Sequence, residues 1–237
     1  MTQSPQQTAR NPGEFLQSTR FIDADHPRVV AFANRHRVAD ESEIEAAIRL
    51  YLAVRDGISY NPYLVGPDPS YFRASDCLAT GSGFCIPKAG LLAACARVIG
   101  IPARVGYADV RNHLSSKRLD DLIGGNVYTW HSYTDLFLAG KWVKATPAFD
   151  RTLCERVGVP VLAFDGRNDS LLQKFNSAGN RHMEYVQQRG VFADIPYAQI
   201  IDAFEKHHPR WLHYRDDQED SVFTDHADSD LKPDPSI

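Results

Sequence analysis

The residue with the clearest chemical potential in this chain is Cys85, which follows two glycines in the stretch Gly81-Ser82-Gly83-Phe84-Cys85-Ile86-Pro87. Pro87 suits a first helical turn, where the N–H groups have no partner within the helix. The Ala- and Leu-rich run after it predicts a helix that Gly100 ends. Cys85 is therefore expected at a helix N-terminus, where the helix dipole lowers the pKa of a thiol and favours a nucleophilic thiolate. The alternative is a small buried apolar residue.

A cysteine nucleophile needs a base that holds or accepts the thiol proton. Among the nine histidines of the chain, His131 lies inside a run of β-branched and aromatic residues, 126–138, which predicts a long strand. A polar side chain at such a position needs a reason. It is either the base for Cys85 or a half-buried histidine whose ring is satisfied by a neighbouring carbonyl.

The elements that would position these residues follow from sequence patterns. Ser42 and Glu45 have capping-box spacing, so a helix is predicted over 40–55. Short strands are predicted at 103–110 and 141–145, the second joined to the long strand by a turn at Ala139-Gly140. Residues 112–125 are expected to form an irregular loop, with a short helix ending at Gly190 and another helix over 197–206. This order predicts an α+β fold with helices on one side of an antiparallel sheet.

A catalytic triad also needs a third residue that orients the base. With a turn near 139–140, paired positions in the hairpin sum to roughly 279 to 280, so position 131 faces a residue near 148 or 149. Asp150 lies within two residues of that point and is the predicted partner of His131, with Thr146 as the alternative. Asp135 is about 13 Å from His131 along the strand and is too far away. Asp150 can also be a simple turn residue.

Taken together, these features resemble the transglutaminase-like superfamily, as a bacterial-type stand-alone domain. The resemblance covers about 43–150 and rests on Gly83-x-Cys85, on Gly100-Ile101-Pro102-Ala103-Arg104, on His131-x-Tyr133-x-Asp135 and on Trp142. It implies a papain-like core in which the cysteine begins a helix and the histidine and third residue lie on adjacent strands. Tyr133 and Asp135 replace the usual Trp and Glu. The family's catalytic Asp is expected four residues after the tryptophan, where this chain has Thr146.

The predicted chemistry is acyl transfer through a thioester on Cys85, with His131 as base and acid and the Cys85 backbone N–H in the oxyanion hole. Water as acceptor gives hydrolysis of a peptide, amide or isopeptide bond, which is favoured; an amine gives transglutamination. The expected partner is a peptide or protein substrate, and no cofactor or metal is expected. Two alternatives stay open: a non-catalytic binding module with a degenerate protease-like cleft, and a metal protein using Cys85, His131 and a carboxylate.

Composition sets the outer limits. One catalytic domain is expected over 14–215, with disordered tails at 1–13 and 216–237. The second tail holds eight acidic residues and one lysine, a net charge of -7, whereas the whole chain has a net charge of -4. The sequence has no stripe of basic residues of the kind that binds nucleic acid. It also has no apolar run long enough for a membrane span and no apolar segment of a secretory signal at its start. The four cysteines have no C-x-x-C pairing, which favours a reduced, cytoplasmic setting.

Overall fold

The computed structural model describes residues 11–214. Its helices are α1 (Pro27–Arg35), α2 (Glu43–Gly57), α3 (Ala74–Thr80), α4 (Cys85–Val98), α5 (Lys117–Ile123), α6 (Arg151–Val157), α7 (Tyr197–His207) and α8 (Pro209–Leu212). Its strands are β1 (Ser59–Tyr60), β2 (Ser82–Gly83), β3 (Ala103–Asn112), β4 (Val127–Leu138), β5 (Lys141–Ala145) and β6 (Met183–Phe192). The predicted α+β class, with helices packed on an antiparallel sheet, is confirmed.

The main sheet has four antiparallel strands in the order β5-β4-β3-β6. In the β4–β5 hairpin Thr134 faces Ala145 and Asp135 faces Lys144, so paired positions sum to 279, within the predicted range. Gly106 on β3 lies opposite Tyr133, whose ring covers the glycine so closely that a Cβ there would be 2.2 Å from the ring atom Cζ. This close approach fixes the centre of the sheet.

Helix α4 is the core of the fold. Every residue from Cys85 to Arg97 is buried, and the helix packs on β4 with α1, α2 and α3 around it. A helix that is apolar all round belongs in an interior. Its two buried cations bind backbone carbonyls: Lys88 Nζ donates to Arg55 and Ile58 at the C-terminal end of α2, and Arg97 donates to Ala103. These bonds fix the axial position of α4, and therefore of Cys85 at its first turn.

The predicted capping box of α2 is present, since Ser42 N–H donates to Glu45 at 2.9 Å and Glu45 N–H donates back to Ser42 Oγ at 3.3 Å. Two other predictions are wrong. The expected loop at 112–125 contains α5, which Ser116 caps and Gly124 ends at φ +82°.

The expected helix before Gly190 is the edge strand β6, paired with β3 over most of its length. Residues 186–188 in its middle are all exposed, so both faces of this edge strand meet solvent there, and the alternation typical of a half-buried strand is missing.

The expected tail 216–237 and residues 1–10 lie outside the described residues. The first described element is a short 3-10 helix at Pro12–Leu16, two residues before the expected domain boundary at 14. Among residues 11–214 no helix is both long and apolar enough to cross a membrane.

Candidate active site

Cys85 is the first residue of α4, and the chain enters it through a short parallel pairing of β2 with β1. The glycine before it is needed for packing: a Cβ on Gly83 would lie 3.0 Å from Cys77 Sγ and 3.2 Å from Pro87. Tight packing on both sides therefore holds the turn that presents the thiol. Cys85 is 9% exposed.

His131 is on β4, and it lines the same cavity as Cys85. The backbone N–H of Ser132, the next residue on β4, is one of the groups that act to lower the pKa of the Cys85 thiol. Only 7% of His131 is exposed. The structure therefore brings the two principal predicted residues to one site.

The electrostatics of this pair differ from the prediction of a lowered cysteine pKa. Burial raises the pKa of the Cys85 thiol to about 11, outweighing the lowering effect of the backbone N–H groups of Ser132, Ile86 and Cys85. Burial also lowers the pKa of His131 to about 4. At neutral pH the resting site therefore holds a neutral thiol and a neutral imidazole.

Asp150 does not meet His131. One carboxylate oxygen accepts the N–H of Leu153 at 2.9 Å and caps α6, and the other accepts the N–H of Tyr60 at 2.8 Å. No hydrogen bond joins Asp150 to His131 among the described residues. The predicted contact is therefore corrected: Asp150 ties α6 to β1.

The other two candidates for the third position also have clear surroundings. Asp135 is 1% exposed and forms an ion pair with Arg104 at 2.8 Å, and no hydrogen bond joins it to His131 among the described residues, in agreement with the distance expected along the strand. Thr146 lines a small cavity together with His131 and Gln173. Its hydroxyl is buried and has no hydrogen-bond partner among the described residues. Thr146 is therefore the candidate whose side chain shares a space with the His131 ring.

The cavity that contains Cys85 and His131 has a volume of about 70 Å³. Much of its wall comes from residues that sequence patterns did not single out, on the β3–α5 connection and α5, on α6, just before β6 and on α7–α8; they include Leu119, Leu153, His182, Phe204, His208 and Trp211. No local motif marks them, because only the tertiary fold brings these segments together.

Among residues 11–214 no group of three or more His, Cys, Asp or Glu side chains is arranged to hold a metal ion. The geometry therefore gives the metal-protein alternative no support from the described residues.

Comparison with known proteins assigns the class. Residues 30–147 match the core of the transglutaminase-like superfamily, and the chain belongs to that superfamily. The matched region contains Cys85, His131 and Thr146 and ends before Asp150. Members of this class are typically cysteine-based acyl-transfer enzymes. No curated protein matches the sequence closely.

Among solved structures, the chain is similar to a candidate cysteine protease from Cytophaga hutchinsonii (17% identity, 78% of this chain and 48% of that one, TM-score 0.48). It is also similar to a candidate protease from Parabacteroides distasonis ATCC 8503 (14%, 57% and 25%, TM-score 0.36). A third is the arylamine N-acetyltransferase from Salmonella typhimurium (15%, 84% and 73%, TM-score 0.47). The chain thus spans about half of the first protein and a quarter of the second, and these distant similarities indicate no particular reaction.

Proposed function

We propose that this protein transfers acyl groups through a thioester on Cys85, with His131 as the general base. The observation that carries the proposal is the shared cavity, which Cys85 at the start of α4 and His131 on β4 both line. The favoured reaction is hydrolysis of a peptide, amide or isopeptide bond in a peptide or protein; an amine acceptor would make it a transglutamination.

In the proposed reaction Cys85 Sγ attacks the substrate carbonyl carbon while His131 takes the thiol proton. His131 then gives that proton to the leaving amine as the C–N bond breaks, which leaves a thioester on Cys85. An acceptor, activated by the same imidazole, attacks the thioester and restores the thiol. The Cys85 N–H at the start of α4 is the proposed donor to the carbonyl oxygen as it gains negative charge.

A neutral resting pair suits this scheme, because the proton moves only as the sulfur attacks. A neutral imidazole is the form that can accept a proton. The proposal therefore needs no carboxylate beside His131, and the Thr146 hydroxyl is the proposed orienting group.

The test uses p-nitrophenyl acetate as a generic acyl donor. We expect nitrophenolate release with an acetyl group on Cys85, located by peptide mass mapping. Cys85→Ala abolishes it, and His131→Ala slows acylation about 100-fold or more while circular dichroism stays unchanged. Cys154→Ala is the matched control, since that buried thiol lies outside the cavity. Acylation elsewhere, or an undiminished rate in His131→Ala, would rule the function out.

The second candidate is a non-catalytic binding module. Two observations favour it: the family's catalytic carboxylate position is Thr146, and Asp150 is occupied elsewhere. An inert Cys85 thiol in the same assay, with the fold intact, would decide for it.

A further inference from the structure

The cavity beside Cys85 is electrically neutral. None of the residues that line it is Asp, Glu, Lys or Arg. Burial lowers the pKa of His131 and of His182 to about 4 and lowers that of His208 as well, so these lining histidines are uncharged at neutral pH. A charged group that entered this cavity would lose its hydration without gaining a counter-ion.

Several polar groups of the wall are occupied by the fold itself, whereas Trp130 Nε1 and His182 Nδ1 are buried without a hydrogen-bond partner among the described residues. His208 Nδ1 lies 2.8 Å from the Ile123 carbonyl oxygen, and its Nε2 lies 2.9 Å from Thr129 Oγ1. Ser115 donates to Asp120, and Ser116 caps α5. What these residues leave for a ligand is mainly apolar surface.

The aromatic part of the wall is fixed before any ligand binds. Trp211 packs edge-on against Phe204 with ring centroids 5.0 Å apart and against Phe84 at 5.9 Å. Its indole N–H donates to the Pro62 carbonyl at 2.7 Å. A pre-formed aromatic wall favours rigid apolar groups, because little order has to be created on binding. Phe204 and Trp211 lie beyond the region that matches the superfamily.

We propose that the acyl group this enzyme transfers is uncharged and bulky, aromatic or branched aliphatic, and that Leu114, Leu119, Phe204 and Trp211 select it. This inference rests on the proposed acyl transfer and names its substrate class. The leucine and aromatic side chains of the wall offer such a group apolar contacts beside the Cys85 thiol.

The test compares p-nitrophenyl esters whose acyl groups are phenylacetyl, acetyl and hemisuccinyl. We expect Cys85 acylation with phenylacetyl to exceed that with acetyl about 10-fold or more, and hemisuccinyl to be the poorest donor. In Leu114→Lys, a change at a half-buried wall position, the phenylacetyl preference shrinks and hemisuccinyl gains. Val186→Lys is the control, since Val186 is 49% exposed and outside the cavity.

A second arm removes the chemistry. Equilibrium binding of N-acetylphenylalanine amide and N-acetylaspartate amide is measured on Cys85→Ala, and the aromatic amide should bind about 10-fold tighter. Equal or reversed preference in either arm overturns the substrate class. If the aromatic amide is preferred in binding but wild-type Cys85 is never acylated, the proposed function fails and the neutral-pocket inference stands.

A different observation concerns the residue before His131. Trp130 has φ +61°, a left-handed conformation that a bulky side chain rarely adopts. The β3–β4 pairing is irregular here: between the pairs Ala108–His131 and Val110–Tyr128, one residue of β3, Asp109, lies opposite two residues of β4, Thr129 and Trp130. Asp109 is therefore the residue of β3 that lies across from the unusual conformation.

Asp109 is 5% exposed, and its Oδ1 accepts the N–H of Trp130 at 3.1 Å. Arg189 on β6 donates to both oxygens of Asp109, from Nε at 2.9 Å and Nη2 at 2.7 Å. The same guanidinium lies 5.5 Å from the centroid of the Trp130 ring. One partly buried ion pair thus contacts both the backbone and the side chain of Trp130.

We infer that Asp109 and Arg189 are positioning residues for His131. The left-handed turn at Trp130 sets the direction in which β4 presents the imidazole, and the ion pair keeps that turn. Such pairs hold geometry through several charged hydrogen bonds at once.

The test is Asp109→Asn against Asp135→Asn, which weakens the Arg104 ion pair on the same sheet. We expect Asp109→Asn to lower kcat for Cys85 acylation about 10-fold or more with KM little changed, and to shift the NMR-detected titration of His131. Asp135→Asn should keep kcat within about threefold and leave the titration of His131 nearly unchanged. Equal effects of the two variants, or an unmoved His131 titration, would show that Asp109 has only a structural role. This inference rests on the proposed function, which is tested separately: His131→Ala must lose activity whatever the effect of Asp109→Asn.

Discussion

The reactivity of Cys85 towards iodoacetamide is a direct consequence of its burial. The pKa values of about 11 for Cys85 and about 4 for His131 differ by about 7, which makes proton transfer between them unfavourable by roughly 9 kcal/mol. Attraction between the resulting charges offsets only part of this cost. We therefore expect the thiolate–imidazolium pair to be a minor species at neutral pH.

We accordingly expect the alkylation rate of Cys85 to rise about tenfold per pH unit between pH 7 and 10, without a plateau in that range. Because His131 does not hold a thiolate in the resting site, His131→Ala should leave this profile within about threefold, although it slows acylation. The measurement is the pH dependence of labelling at the Cys85 peptide, followed by mass spectrometry in native protein.

A flat rate between pH 5 and 8 that disappears in His131→Ala would refute this reasoning. It would mean that the resting site holds a thiolate–imidazolium pair, as in cysteine enzymes with a strongly lowered thiol pKa. A rate that reaches a plateau above pH 8.5, and does so equally in His131→Ala, would also contradict it. It would show that the Cys85 thiol has the pKa of a solvent-exposed cysteine.

Three further outcomes follow from the packing. Gly106→Ala should lower the free energy of unfolding by about 3 kcal/mol, because the ring of Tyr133 covers this glycine. Gly57→Ala, where nothing lies within reach of the new Cβ, should change it by less than about 0.5 kcal/mol. Equal denaturant midpoints for the two variants would contradict this reasoning. Asp150→Ala should lower the free energy of unfolding by about 2 kcal/mol, because two hydrogen bonds to backbone N–H groups are lost, and should keep the acylation rate within about fivefold. A variant that is folded but inactive would show that Asp150 has a catalytic role. Thr146→Asp should raise the pKa of His131 by about one unit or more, and an unchanged NMR titration would show that position 146 does not face the ring.

The order of elements around the site was predictable because local rules and tertiary structure agree there. The capping box at Ser42 and the turn at Ala139-Gly140 act within a few residues, and the pairing sum of 279 follows from the turn alone. The spacing of Cys85 and His131 on a helix and a strand was readable for the same reason.

The third residue was not readable, because the register holds only while the strands stay paired. The chain leaves the hairpin after Ala145: Thr146 N–H donates to the Ser170 carbonyl at 2.9 Å, and Ser170 N–H donates to Lys144 at 2.8 Å. A distant segment thus redirects the chain, and Asp150 begins a helix instead of continuing along β4. The raised pKa of Cys85 was hidden similarly, since burial depends on the whole fold.

The four cysteines of the chain bear on how this protein survives heating. All are buried free thiols, and burial raises the pKa of Cys77 to about 12 and of Cys85 and Cys154 to about 11, with Cys95 raised as well. Unfolding returns each thiol to a pKa near 8.5 and lets them meet, so air can join them in any of three full pairings, none of them native. Refolding after a heating cycle should therefore be complete with a reducing agent present and should decline with time at high temperature in air.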